Sequence, residues 1–132
     1  MSASNWLEDA WVKWAFTTTS VPTRPTAWYV SLHTADPTDT GGSEVTSGQD
    51  SAYARQSVTL ATTGTNGQVK NSTVANFPAA ASGSSYTVTH FGVYDASTSG
   101  NLLVSGALDI SKAVTAGTIL SFAVNDLTAQ VD

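Results

Sequence analysis

The spacing of apolar residues changes once along this chain. Leu7, Ala10, Trp11 and Trp14 fall at i, i+3, i+4 and i+7, one stripe of a helix, while Asp9 and Lys13 form an i,i+4 pair on another face. Asn5 followed by Glu8 fits an N-cap with a carboxylate three positions on, so the pattern predicts a short amphipathic helix over residues 6–16. From Ala27 onward the period is two. Trp28, Val30 and Leu32 alternate with Tyr29, Ser31 and His33, which predicts a strand with one buried face and places Trp28 on the core side. Further strands are predicted at about residues 53–60, 73–77 and 118–124, with Gly64-Thr65-Asn66-Gly67 as a turn and residues 34–50, punctuated by Pro37, Gly41, Gly42 and Gly48, as a long loop.

Residues 88–108 read as one β-hairpin. Two runs rich in Val, Leu, Phe and Tyr flank Asp95-Ala96-Ser97-Thr98-Ser99-Gly100-Asn101, the chemistry of a turn between antiparallel strands. Residues 17–26 read as an extended connector, because Pro22 and Pro25 donate no hydrogen bond and bias their predecessors away from helix. The expected organisation is an N-terminal helix (1–16), a connector (17–26) and a β domain (27–132). About seven strands separated by turn signals indicate a mainly β chain, an antiparallel β-sandwich of jelly-roll-like kind with a short N-terminal amphipathic helix.

Composition narrows the function. A chain of 132 residues can bury a self-sufficient core without staples, and it has none, since cysteine is absent. Five Lys and Arg against ten Asp and Glu give a net charge of −5, too few basic groups to displace counterions from a phosphate backbone, so nucleic acid is excluded as the main partner. The amino-terminal residues have no signal-peptide pattern and no segment reaches the length of a membrane span, so the expectation is a soluble protein, not exported and with no membrane partner. With only 11% charged residues, the polar surface must consist largely of Ser, Thr, Asn and Gln, a composition that suits exposed strands and turns.

No catalytic constellation emerges. His33 and His90 are the available general bases, but both lie in strand patterns and no Gly-x-Ser-x-Gly elbow accompanies them. Asp36, Asp39, Glu44 and Asp50 crowd one loop, with a spacing that matches no EF-hand, so no metal or other cofactor is expected. Paired carboxylates across a cleft, as glycosidases need, are not evident. Asn71-Ser72-Thr73 is formally a glycosylation acceptor. Asp36 is placed to cap a turn before Pro37 ends ladder pairing. Tyr53 and Arg55 share one face of their strand and have two readings: an interface pair, or an arginine that meets one of the acids.

Four segments resemble a family of short virion structural proteins of tailed bacteriophages, many of them described as tail fibre proteins. They are Trp28-Tyr29-Val30-Ser31-Leu32-His33-Thr34-Ala35-Asp36-Pro37, Ser51-Ala52-Tyr53-Ala54-Arg55-Gln56, Ala75-Asn76-Phe77-Pro78 and the hairpin at 88–108. The resemblance implies a β-sandwich particle component, made in a bacterial cytoplasm, rather than an enzyme. The leading expectation is a capsid decoration (cement) protein, a homo-oligomer and most simply a trimer, that binds the major capsid protein on the outer head surface and stabilises the closed shell by mass action. The alternative is a tail fibre or tail-tip module that joins other tail proteins and contacts the host, and a remote one is a carbohydrate-binding accessory domain. Leu7, Trp11 and Trp14 of the helix, with Tyr53 and Arg55, are the candidate assembly interface.

Overall fold

The computed structural model describes residues 3–131; Met1, Ser2 and Asp132, the outermost positions of the expected helical and β regions, lie outside the described residues. One helix, α1 (Asn5–Phe16), precedes nine strands: β1 (Trp28–His33), β2 (Gln56–Val58), β3 (Leu60–Thr62), β4 (Gln68–Asn71), β5 (Ala75–Asn76), β6 (Ser85–Tyr94), β7 (Leu102–Thr115), β8 (Ser121–Phe122) and β9 (Thr128–Gln130). Residues 17–27, between α1 and β1, are neither helix nor strand. The strands form three antiparallel sheets, ordered β2-β1-β6-β7, β3-β4-β9 and β5-β8. Their apolar faces share one core, in which Val30 and Leu32 of β1, Phe91 and Val93 of β6, Phe77, Phe122, Leu127 and Ala129 meet. The chain is thus a mainly β, antiparallel sandwich with an N-terminal helix.

The hairpin is the longest element. β6 and β7 pair from Tyr94↔Leu102 to Ser85↔Thr115, so the second strand runs seven residues beyond the expected end at Leu108. Pairing breaks between Val88↔Lys112 and His90↔Ala107, where Thr89 alone faces Leu108, Asp109, Ile110 and Ser111 in a large irregular bulge. Of the segment expected as one strand at 53–60, residues 53–55, with Tyr53 and Arg55, are not in a strand, and the rest divides between β2 and β3 at Thr59, because the first pairs with β1 and the second with β4 in another sheet. β4 and β9 have no counterpart in the sequence pattern. Both are three or four residues long with mostly half-buried side chains, too short to show a period of two.

Two local expectations also change. Ser4, not Asn5, caps α1: its hydroxyl accepts from the Leu7 N–H at 3.3 Å and donates to the Leu102 carbonyl. That second bond explains the shift, since it joins the cap to the edge of β7, where Ala3 also bridges Val104 and the Ser4 N–H donates to the Leu103 carbonyl at 2.9 Å. The expected stripe of α1 is divided as well. Trp6 and Leu7 pack against the core and Ala10 is half-buried, whereas Trp11 and Trp14 are exposed and no helix residue is fully buried. The Asp9–Lys13 pair forms at 2.5 Å.

Candidate functional site

β1 does not have a solvent face over its second half. Val30, Ser31, Leu32 and His33 are all buried, because the loop after β1 folds back beside the strand past Val30, the last β1 residue that pairs with β2. Thr34 N–H donates to the Ser43 carbonyl and Val45 N–H to the Leu32 carbonyl, each at 2.9 Å. The polar face of the strand therefore sits under its own loop, and each polar group on it needs a partner.

His33 supplies two of these contacts. Its Nδ1–H donates to the Gly42 carbonyl at 2.7 Å, which leaves Nε2 to accept from the Ser31 hydroxyl at 2.8 Å. Burial holds the imidazole pKa below its ordinary value, against the opposing pull of the Gly42 hydrogen bond and the Glu44 charge. Gly92 on β6 closes this pocket: a Cβ there would lie 2.6 Å from Ser31 Oγ and 3.0 Å from His33 Nε2. A serine and a histidine are thus in hydrogen-bonding distance, and both are fully buried. His90 is the cross-strand partner of His33 in the β1–β6 ladder, and its Nδ1 lies 2.8 Å from Thr89 Oγ1.

Around this pair, Glu44, Arg55, Tyr53 and Tyr94 join two loops. Arg55 donates Nε and Nη2 to the two oxygens of Glu44, each at 2.8 Å, and Nη1 to the carbonyls of Ala96 at 3.0 Å and Ser99 at 2.7 Å. Tyr53 donates to Glu44 at 2.7 Å and accepts from the Leu32 N–H at 3.1 Å. Burial alone would raise the Glu44 pKa, but the hydrogen bonds from Arg55 and Tyr53 outweigh it and hold the carboxyl below its ordinary range. The fork of Arg55 therefore ties loop 34–50 to the hairpin turn at 95–101.

These loops carry strained backbone. Thr38 (φ 55°), Ser43 (φ 60°) and Ser99 (φ 52°) are three of the four non-glycine residues with positive φ among the described residues. For a β-branched residue such as Thr38 this is an outlier. Strain of this kind persists only where surrounding contacts impose it, and it concentrates at sites of recognition.

The expected site residues are accordingly separated. Tyr53 and Arg55 meet each other through Glu44 inside the domain, so Arg55 takes the reading in which it pairs with an acid, its side chain only 8% exposed. Leu7 packs on the core, and Trp11 and Trp14 point outward. Of the loop acids, Asp36 caps its turn by accepting from Thr38 N–H at 2.9 Å. Asp50 is buried and accepts from Ala52 and Ala81 N–H groups at 3.0 Å and from the Tyr86 hydroxyl at 2.9 Å. Among the described residues no group of three His, Cys, Asp or Glu is placed to hold a metal ion. Asn71 of the formal glycosylation sequon is fully buried, with its amide bound to the carbonyls of Thr73 and Ala123 and its side-chain oxygen to Leu127 N–H.

A family profile described as "Podophage GP4 fiber I protein gp80" matches residues 2–130, nearly the whole chain. The chain belongs to this fibre protein family. The match agrees with the resemblance in the four segments and makes the chain a bacteriophage structural protein, a component of the virion. No curated protein matches the chain. Among the described residues no helix of this family member is long and apolar enough to cross a membrane.

Proposed function

We propose that this chain is a tail fibre module that contacts the host surface through the end of the sandwich formed by loop 34–50 and the turn at 95–101. The observation that carries the reading is the Arg55 clamp: one buried guanidinium holds Glu44 of the first loop and the carbonyls of Ala96 and Ser99 of the second. Recognition surfaces are commonly loops held by a rigid scaffold. Here Ser97, Thr98, Ser99 and Gly100 stay exposed above the clamp, and Asp36, Thr38 and Asp39 stay exposed farther along the hairpin, beside His90 and Ala107. Hydroxyls, carboxylates and backbone amides of this kind suit a polar, hydrated partner. The partners of this reading are other tail proteins and a host surface component, with no nucleic acid, membrane, metal or catalytic step involved.

The fibre description of the family supports the tail position over capsid decoration. Two measurements test the proposal. Density for the chain in an intact virion is expected in the tail; a lattice position on the head would overturn it. Purified chain is expected to compete with virions for adsorption to host cells, and a Ser97→Arg, Thr98→Arg variant to compete poorly. Equal competition by that variant would remove the turn from the contact.

A further inference from the structure

We propose that the exposed face of α1 is a self-association surface, whose occupant is the same face of a second copy of this chain. The proposal is independent of where on the particle the chain resides.

Five of the nine exposed large hydrophobic residues among the described residues lie within eleven positions: Trp11, Val12, Trp14, Phe16 and Val21. Glu8, Trp11, Val12, Trp14, Ala15 and Phe16 line one shallow depression on the outside of α1, in which Trp14 and Phe16 flank the ridge formed by Trp11, Val12 and Ala15. The helix is rooted at its first turn by Ala3 and Ser4 on the edge of β7, so this outer face is presented at a fixed position. Trp11 also walls a groove with the turn at 64–67 and Val131.

Area and charge select the occupant. Trp11, Trp14 and Phe16 are 43%, 77% and 82% exposed. At about 150–250 Å² per aromatic side chain, the three leave roughly 400 Å² of apolar surface in water, and Val12 brings the patch to about 500 Å². Two copies apposed on this face would remove at most roughly 1,000 Å², the lower limit of a specific interface. The charge of −5 makes copies repel one another over most of their surface. On α1 that repulsion is small, since Lys13 closes on Asp9 and Glu8 is the one helix charge without an ion-pair partner among the described residues. A lipid surface is a poorer fit, because amphipathic helices that lie on membranes flank their apolar face with Lys and Arg, and α1 has only Lys13, already paired.

The test is sedimentation velocity of the full chain across a concentration series, with Trp14→Ser, Phe16→Ser as the variant, since both side chains are mostly exposed and their loss leaves the core intact. The wild type is expected to associate in the micromolar range, with tryptophan emission shifting to the red on dilution. The variant is expected to show a dissociation constant raised about a hundredfold or more with an unchanged β-sheet circular dichroism spectrum. A wild type that stays monomeric at the highest soluble concentration overturns the proposal, including the case in which its emission shifts only on adding anionic vesicles. A variant that associates as tightly as the wild type overturns it too.

Discussion

The Arg55 guanidinium lies over the ring of Tyr94, 3.5 Å from its centre, while its nitrogens hold Glu44 on one side and two turn carbonyls on the other. A single side chain thus joins β6, the loop after β1 and the hairpin turn. Lysine cannot replace it, since an ammonium lacks both the planar stack and the two-pronged geometry.

Replacing Arg55 by Ala is expected to cost about 3 kcal/mol, because Glu44 would remain largely buried, with its side chain 22% exposed, and without its counter-charge. Arg55→Lys should recover only a part of this. Urea denaturation with an unchanged m-value measures it, and a loss below about 1 kcal/mol would show that water compensates Glu44.

Stability should fall in two stages as pH decreases. Burial holds the His33 pKa below its ordinary 6.5, so the unfolded chain takes up a proton first and stability declines from about pH 6.5 downward. Glu44 and Asp50 follow. Burial opposes their ionisation, but hydrogen bonds to the charged forms prevail and lower both pKa values, so their contribution is present above the ordinary values of 4.5 and 3.8 and is lost as pH falls through the lower folded ones. Urea midpoints between pH 8 and pH 3 should show both stages in the wild type and only the second in His33→Gln.

Gly92→Ala is expected to destabilise the chain by about 1–3 kcal/mol through overpacking, since the new methyl would meet Ser31 Oγ at 2.6 Å and Leu102 Cδ1 at 3.0 Å. The backbone at Gly92 needs no left-handed conformation, so close approach alone is the cause. A neutral result in thermal unfolding would mean that Ser31 and His33 can move aside.

Asn71→Ala removes three hydrogen bonds at a fully buried position, to the carbonyls of Thr73 and Ala123 and from Leu127 N–H. The loss should be about 3 kcal/mol, as backbone groups are left without partners. Asn71→Asp, which keeps the acceptor and loses both donors, should be comparably damaging by thermal denaturation.

Much of the fold is legible in the sequence because it is local. The i,i+4 pair of Asp9 and Lys13, the strand from Trp28 to His33, the Gly64–Gly67 turn and the hairpin around Asp95–Asn101 each follow from near-neighbour geometry, and each is present. The four segments that resemble phage virion proteins likewise needed only the residues themselves, and the family match over residues 2–130 agrees with them.

The tertiary structure decided what depends on which segments lie against each other. Alternation assigned Ser31 and His33 to one polar face, but a face turns from exposed to buried when a loop seventeen residues long by sequence, 34–50, folds back over it, and no local pattern encodes that return. The same holds for Arg55: strand spacing placed it beside Tyr53 and admitted an acidic partner, yet Glu44, Tyr94 and the turn carbonyls become neighbours only because β1 pairs with β6. On α1, a helical period shows that one face is apolar without saying which apolar residues the domain covers. The bonds of Ser4 to β7 fix the angle of the helix, and that angle buries Leu7 partly and leaves Trp11 and Trp14 in solvent.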